Sequence, residues 1–190
     1  DIKHFEEANR GYIQAWKRDA SSTVNPVGWV KYGNAIIGKV HQDKGFWIKI
    51  SGDGNSIVAT PRDRVKYVEV YKYSTPGQTG GTWDLQGNTF NGNTTSGHDD
   101  YYLSMNLSYD GNILAIGNST YNSNNGRVQV YQRDTNAATG WTQLGTDIVG
   151  TGGEEFGGSR IDGATNLIIA DNGNKLAVMS ENYSNAQSMV

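Results

Sequence analysis

A chain of 190 residues, 36% of them hydrophobic, is long enough to bury a core, and with no cysteine it holds neither disulfides nor thiolate metal sites. Its net charge of −3 and scattered basic residues argue against nucleic acid and anionic membrane as partners, and no apolar run approaches the ~18 residues of a membrane span, so no membrane insertion is expected. Glycines (25) and tyrosines (11) far outnumber prolines (3), which favours many short strands and tight turns over helices.

In chain order, residues 1–28 read as the closing strand of a preceding unit plus a linker. The strand is "GYIQAWKRD" (11–19), with Ile13, Ala15 and Trp16 among its apolar positions. Residues 29–82 form the next unit, which opens on Trp29, Gly33, Ile36 and Gly38 in the spacing W-x3-G-x2-[I/F]-x-G. It continues through an alternating strand, "FWIKIS" (46–51), a turn inside "SGDGNSIVAT" (51–60) and a closing strand, "KYVEVYKYS" (66–74).

Residues 83–140 repeat the pattern. Trp83, Gly87, Phe90 and Gly92 are followed by "LSMNLS" (103–108), "SYDGNILAIG" (108–117) and "GRVQVYQRD" (126–134). Residues 141–190 begin it again with Trp141, Gly145, Ile148 and Gly150, then "NLIIA" (166–170) and "ADNGNKLAVM" (170–179). Residues 176–190 align without a gap on 114–128, which sets Val190 at the position of Val128, so this unit lacks its closing strand.

The Asp-Gly and Asn-Gly dipeptides supply the positive φ angles of a two-residue type I′ hairpin, so the segments beside them are expected to pair antiparallel. A helical solenoid would show apolar residues at i, i+3 and i+4, a pattern missing here. Units of this length with four short strands have the size of a propeller blade. The predicted fold class is therefore all-β: a β-propeller built from four-stranded antiparallel blades, about three blades' worth, beginning and ending mid-repeat.

The succession of W-x-Q-L-G-x-D-I-x-G, an F-G pair at Phe156-Gly157, a D-G-N hairpin, L-A-I-G and V-x-V-Y resembles the FG-GAP-like β-propeller repeats of integrin α-subunit heads and of many secreted or surface proteins. The resemblance covers essentially the whole chain. Tyr101-Tyr102 and Lys44-Gly45 stand at the F-G position of the other copies, and "ATP" (59–61), "GNS" (117–119) and "MSE" (179–181) occupy the GAP position. What the resemblance implies is extracellular adhesion or display. Calcium is not carried over, because the family's D-x-D-x-D-G loop is replaced by a short turn.

Candidate chemistry is sparse. Trp29, Trp83 and Trp141 hold one equivalent position and are expected to be packing anchors rather than a sugar-stacking surface; Trp16 and Trp47 are read the same way. His98-Asp99-Asp100 and Glu154-Glu155 are adjacent loop residues, unsuited to converge on one ion or to face each other as a carboxyl pair. "TGGTW" (79–83) lacks the Asp of a sialidase box, having Gln78 in its place, and His4, His41 and His98 occupy no equivalent position. No catalytic residue, metal ligand or cofactor is nominated. Four N-x-[S/T] sequons, at Asn93, Asn106, Asn118 and Asn182, are glycosylation candidates, with the loop after the third strand favoured.

The expected role is a non-catalytic structural or adhesive segment of a secreted, cell-surface or particle-surface protein, with protein partners or further copies of itself. A carbohydrate-binding propeller is the alternative, with glycans as partners. Three blades' worth cannot close a ring of ~4–8 blades. Either the sequence is part of a longer polypeptide, or copies complete one another by strand complementation into a ring or filament, with Ile13, Ala15, Trp16 and Val190 on the strands concerned.

Overall fold

The closing strands, expected to end each unit, are the axes of the sheets. The computed structural model describes residues 11–38, 47–60, 67–91, 103–151, 156–157 and 167–180. The first strands are β1 (Tyr12–Ile13), β2 (Trp16–Arg18), β3 (Trp29–Lys31) and β4 (Ile36–Ile37); β1 pairs with β4 and β2 with β3, both antiparallel. Next come β5 (Trp47–Ile50), β6 (Ser56–Thr60), β7 (Tyr67–Tyr73), β8 (Trp83–Leu85) and β9 (Phe90–Asn91), in the order β5-β6-β7-β8 with β9 also on β7. The pattern recurs in β10 (Leu103–Leu107), β11 (Ile113–Asn118), β12 (Arg127–Arg133), β13 (Trp141–Gln143) and β14 (Ile148–Val149). A last hairpin joins β15 (Leu167–Ile169) to β16 (Leu176–Val178).

The chain is thus all-β, with several antiparallel sheets, none of them closed on itself among the described residues. The Trp element differs from its expected place at the start of a unit. It is hydrogen-bonded as the outer strand of the sheet before it: Arg133 faces Trp141 and Val128 faces Ile148 across the same ladder edge. The reason is length. β7 and β12 each run for 7 residues, enough to hold one neighbour on one edge and both halves of the Trp element on the other.

Successive sheets stack face to face, and period-2 alternation divides the inner strands β6 and β11 between two cores. In β6, Ile57 and Ala59 join Ile13, Tyr32, Ile36, Tyr71, Tyr73 and Trp83 on the amino-terminal side. Val58, between them, joins Val68, Val70, Met105, Leu107, Leu114, Ile116 and Trp141 on the other. In β11, Leu114 and Ile116 point back into that cluster, while Ala115 points forward to Val128, Leu167 and Ile169. With both faces covered, the second strand of each complete sheet reads as a nearly continuous apolar run.

The hairpin turns correct the expected type I′ geometry. Among the described residues, Asn122, Ser123 and Asn124 are the non-glycine positions with positive φ, so Asp53 and Asp110 do not adopt the left-handed conformation that turn requires. Instead Gly54 N–H donates to Ser51 O at 2.9 Å and Ser51 N–H to Ser56 O at 2.8 Å, leaving a four-residue loop with the positive φ at Gly54. The loop is held by side chains. Asp53 Oδ1 accepts from Ser51 Oγ at 2.5 Å and from Asn55 N–H at 2.9 Å, and Ser51 Oγ accepts from Ser56 N–H at 2.9 Å. Ser108, Asp110, Asn112 and Ile113 reproduce each of these bonds in the second sheet. The third hairpin has Ala170 for the serine and Asn172 for the aspartate, and keeps the bond from Asn174 N–H at 3.2 Å.

The turns also stack on one another. Asp53 N–H donates to Tyr109 O and Tyr109 N–H to Asp171 O, each at 2.9 Å. Burial of Asp53 and Asp110 pushes their carboxyls up, but the serine hydroxyls and the asparagine backbone and amide N–H groups outweigh it and hold both below the usual carboxylate range.

A lowered folded pKa means that the ionised carboxylates contribute stability above the ordinary value of about 4 and lose it as pH falls through the depressed one. Urea melts at decreasing pH should show stability falling below about pH 4. In the double variant Asp53→Asn, Asp110→Asn, which keeps an acceptor as Asn172 does, this acid slope should be shallower. An unchanged slope would show that other groups carry it.

Candidate functional site

The Trp element earns its recurrence by serving two neighbours at once. The indole of Trp83, 5% exposed, reaches back to the preceding strand pairs, where its Nε1–H donates to Tyr32 O at 2.9 Å. The indole of Trp141, 4% exposed, reaches back to the preceding sheet and donates to Gln86 O at 2.8 Å. Tyr32 and Gln86 each lie three residues after the Trp of their own element, so the acceptor is in the same register both times. The element that begins at Trp83 therefore extends an indole to the unit behind it and offers the Gln86 carbonyl to the indole of the unit ahead.

The glycine that follows the acceptor completes the seat. A Cβ on Gly33 would lie 2.6 Å from the Tyr73 ring and 3.1 Å from Trp83 Nε1; one on Gly87 would lie 2.3 Å from Thr139 O and 3.0 Å from the Trp141 ring. The apolar position three residues further on lines it. Ile36 is buried in the cluster that contains Trp83. Phe90 meets Tyr131 at 4.7 Å between centroids and Trp141 at 5.7 Å, edge-on. The final glycine closes the element onto its sheet: Gly38 N–H donates to Gly11 O at 3.0 Å and Gly150 N–H to Gly126 O at 3.1 Å.

The third seat and the first indole are different. Leu144 is 40% and Ile148 45% exposed, and a Cβ on Gly145 would meet nothing within 4 Å. Trp29, the equivalent of Trp83 and Trp141, is 48% exposed where they are buried. Trp16 is likewise exposed, while Ile13 is buried and Ala15 packs against the same cluster. Gly92, Asn93, Asn182, Val190, the three histidines, His98-Asp99-Asp100 and Glu154-Glu155 lie outside the described residues.

Of the remaining sequons, Asn118 is buried, its Oδ1 accepting from Thr120 N–H at 3.1 Å and from Thr120 Oγ1 at 3.0 Å. Asn106 turns its amide to Leu167 O at 3.3 Å, toward the next sheet. Neither side chain stands free on the surface.

Polar groups that sequence reasoning passed over are structural ties. Asp147 is the hub of one: it pairs with Arg127 at 3.0 Å and accepts from Gln129 Nε2 at 2.9 Å and Gln143 Nε2 at 2.8 Å. Burial raises the Asp147 carboxyl, and these three partners more than compensate, holding it low. The Arg127 guanidinium also lies over the Tyr121 ring, 4.2 Å from its centroid. In β7, Glu69 is buried and accepts from Tyr71 Oη at 2.6 Å, and burial together with Glu69 pushes the Tyr67 hydroxyl up to about 12. Glu69 and Gln129 hold equivalent positions beside the strand's valines, a correspondence visible in the alignment but carrying no sign of burial.

Chemically, the arrangement recognises an indole: one carbonyl acceptor, a bare glycine beside it and an apolar wall. Among the described residues, no group of three or more His, Asp or Glu side chains gathers to hold a metal ion. No protein-family model, curated protein or solved structure matches the chain.

The two glycines with near-identical backbone and opposite surroundings give a direct test. Gly87 has φ 71° and Gly145 φ 70°, so alanine at either carries the same left-handed strain of about 1 kcal/mol. Gly87→Ala must also displace the Thr139 backbone and the Trp141 ring, adding about 1–3 kcal/mol. Chemical denaturation should therefore rank Gly87→Ala well below Gly145→Ala; equal losses would mean that the seat is loose.

Proposed function

We propose that the chain is a non-catalytic structural or adhesive repeat array, a segment of a β-propeller of FG-GAP-like repeats belonging to a secreted, cell-surface or particle-surface protein. The observation that carries this reading is the use made of the recurring residues. Trp, Gly and Ile or Phe of the W-x3-G-x2-[I/F] spacing bind one sheet to the next, at Trp83 on Tyr32 and at Trp141 on Gln86. The four-strand order, with the outer strand leading into the first strand of the following sheet, is also the connectivity of propeller blades.

A repeat array joined only through neighbours should survive the removal of one unit, because the remaining interfaces have the same register. Excision of residues 83–140 brings Trp141 onto the Tyr32 seat. The shortened chain should keep a β-type circular dichroism spectrum and a cooperative, lower melting transition. Loss of all folded signal would sink the reading.

The exposed indoles of Trp16 and Trp29 favour one alternative, a carbohydrate-binding propeller, since a bare aromatic face stacks on a sugar ring. A glycan array separates the two. The structural reading expects no saturable binding; binding that is lost in Trp29→Ala while the melting temperature is unchanged would replace it with the lectin.

A further inference from the structure

Two asparagine-glycine pairs lie wholly within the described residues, Asn125-Gly126 and Asn172-Gly173. In such a pair the backbone nitrogen after the asparagine is open to its side chain, because glycine has no Cβ to shield it. The surroundings of the two are opposite. Gly126 N–H donates to Tyr121 O at 3.0 Å, Gly126 O accepts from Gly150 N–H at 3.1 Å and Asn125 O from Phe156 N–H at 3.3 Å, so neighbouring main chain holds this pair on both sides. A Cβ on Gly126 would lie 2.2 Å from Phe156 O.

Asn172-Gly173 is the tip of the β15-β16 hairpin. Gly173 N–H donates to Ala170 O at 2.8 Å, and Asn172 Oδ1 accepts from Asn174 N–H at 3.2 Å. The staple of the other two turns is missing. Ser51 Oγ donates to Asp53 and accepts from Ser56 N–H, and Ser108 Oγ does the same for Asp110 and Ile113. Ala170 has no hydroxyl, so the third turn opens with fewer bonds broken. Asn172 is exposed, and so is Asp110 at the equivalent place in a sheet packed on both faces, so exposure belongs to the turn position itself.

We propose that Asn172 is a site of spontaneous deamidation, which converts the third turn into the Asp-Gly turn of the first two. When the turn opens, Gly173 N gives up its proton and attacks Asn172 Cγ. The new C–N bond forms, the bond from Cγ to Nδ2 breaks, and the side-chain amide leaves with a proton as ammonia. Water then opens the succinimide ring. Cleavage between Cγ and the ring nitrogen restores the ordinary backbone with aspartate at 172; cleavage at the main-chain carbonyl leaves isoaspartate, with the chain running through Cγ. The balance is one water in and one ammonia out, with no oxidant or cofactor.

The fold already holds the first product. Gly54, Gly111 and Gly173 have φ of 72°, 69° and 72°. Asp53 Oδ1 accepts from Asn55 N–H at 2.9 Å and Asp110 Oδ1 from Asn112 N–H at 3.0 Å, the bond that Asn172 makes to Asn174. A carboxylate at 172 therefore needs no change of backbone, and its charge strengthens that bond. Isoaspartate lengthens the main chain inside the turn. Either product adds a negative charge to an exposed tip beside Asp171.

Peptide mapping of the full chain, stored folded at mildly alkaline pH in heavy-oxygen water, reads the conversion at each site by mass, the label marking events after purification. Asn172 should convert several-fold faster than Asn125, and in denaturant, where turns and ladders are gone, the difference should vanish. Ala170→Ser restores the staple and should slow Asn172 several-fold, leaving Asn125 as it was. Asn172→Asp should keep the β-type spectrum and melt at or above the wild type at neutral pH. A folded chain in which Asn172 keeps its amide or converts no faster than Asn125 overturns the proposal. So does a difference that persists in denaturant, an Ala170→Ser chain that converts at the wild-type rate, or an Asn172→Asp chain that melts lower.

Discussion

An indole N–H placed on a backbone carbonyl of the preceding unit sets the spacing, register and order of everything else. The bond is short, 2.9 Å at Trp83 and 2.8 Å at Trp141, and both indoles are withdrawn from water. A buried indole without an acceptor loses more than a hydrogen bond gains, so the sheets can slide past one another only by leaving a polar group unsatisfied. The acceptor belongs to the backbone and is always three residues after a Trp. A carbonyl has no side chain to mutate, so the joint depends on the conserved spacing within the element rather than on the residue that accepts: Tyr32 in one case and Gln86 in the other.

Much of the architecture is legible in the sequence because it repeats. The all-β class, the antiparallel hairpins around Asp-Gly and Asn-Gly, and the closing strands at 67–73 and 127–133 follow from alternation and self-similarity. Periodicity cannot say which neighbour a strand pairs with; order along the chain alone puts the Trp element at the head of its unit. Pairing to the preceding strand is decided by the length of β7 and β12. The turn type departs from expectation for a local reason: Asp-Gly suggests type I′, but Ser51 and Ser108, two residues earlier, offer the aspartate a hydroxyl and stabilise a longer loop. The seat was invisible for the plainest reason, since its key atom is a main-chain oxygen.

Coupling between sheets is strictly local. Val58 and Ile57 are adjacent in one strand yet belong to different cores, as are Leu114 and Ala115. A change at one of them is felt by one neighbouring sheet first, and by the rest only through the strand itself. Stability in such an array is approximately a sum of unit and nearest-neighbour contributions. The stacked turns, Asp53 to Tyr109 and Tyr109 to Asp171, add a second line of contact made of backbone groups, which explains how the third hairpin keeps its place with Ala170 and Asn172 where the others have serine and aspartate.

The two faces of each sheet are not alike. In the second sheet, Met105, Leu107, Leu114, Ile116, Tyr131 and Trp141 are turned backward, while Ala115, Val128 and Val130 are turned forward. At both buried joints the donor indole belongs to the backward-turned surface and the acceptor oxygen to the forward-turned one. The molecule therefore has an arrow. Two like faces brought together would set indole against indole with no acceptor between them, which disfavours a two-fold contact through a single shared patch. Any assembly built from these surfaces inherits a direction, in the way a stack of cups does.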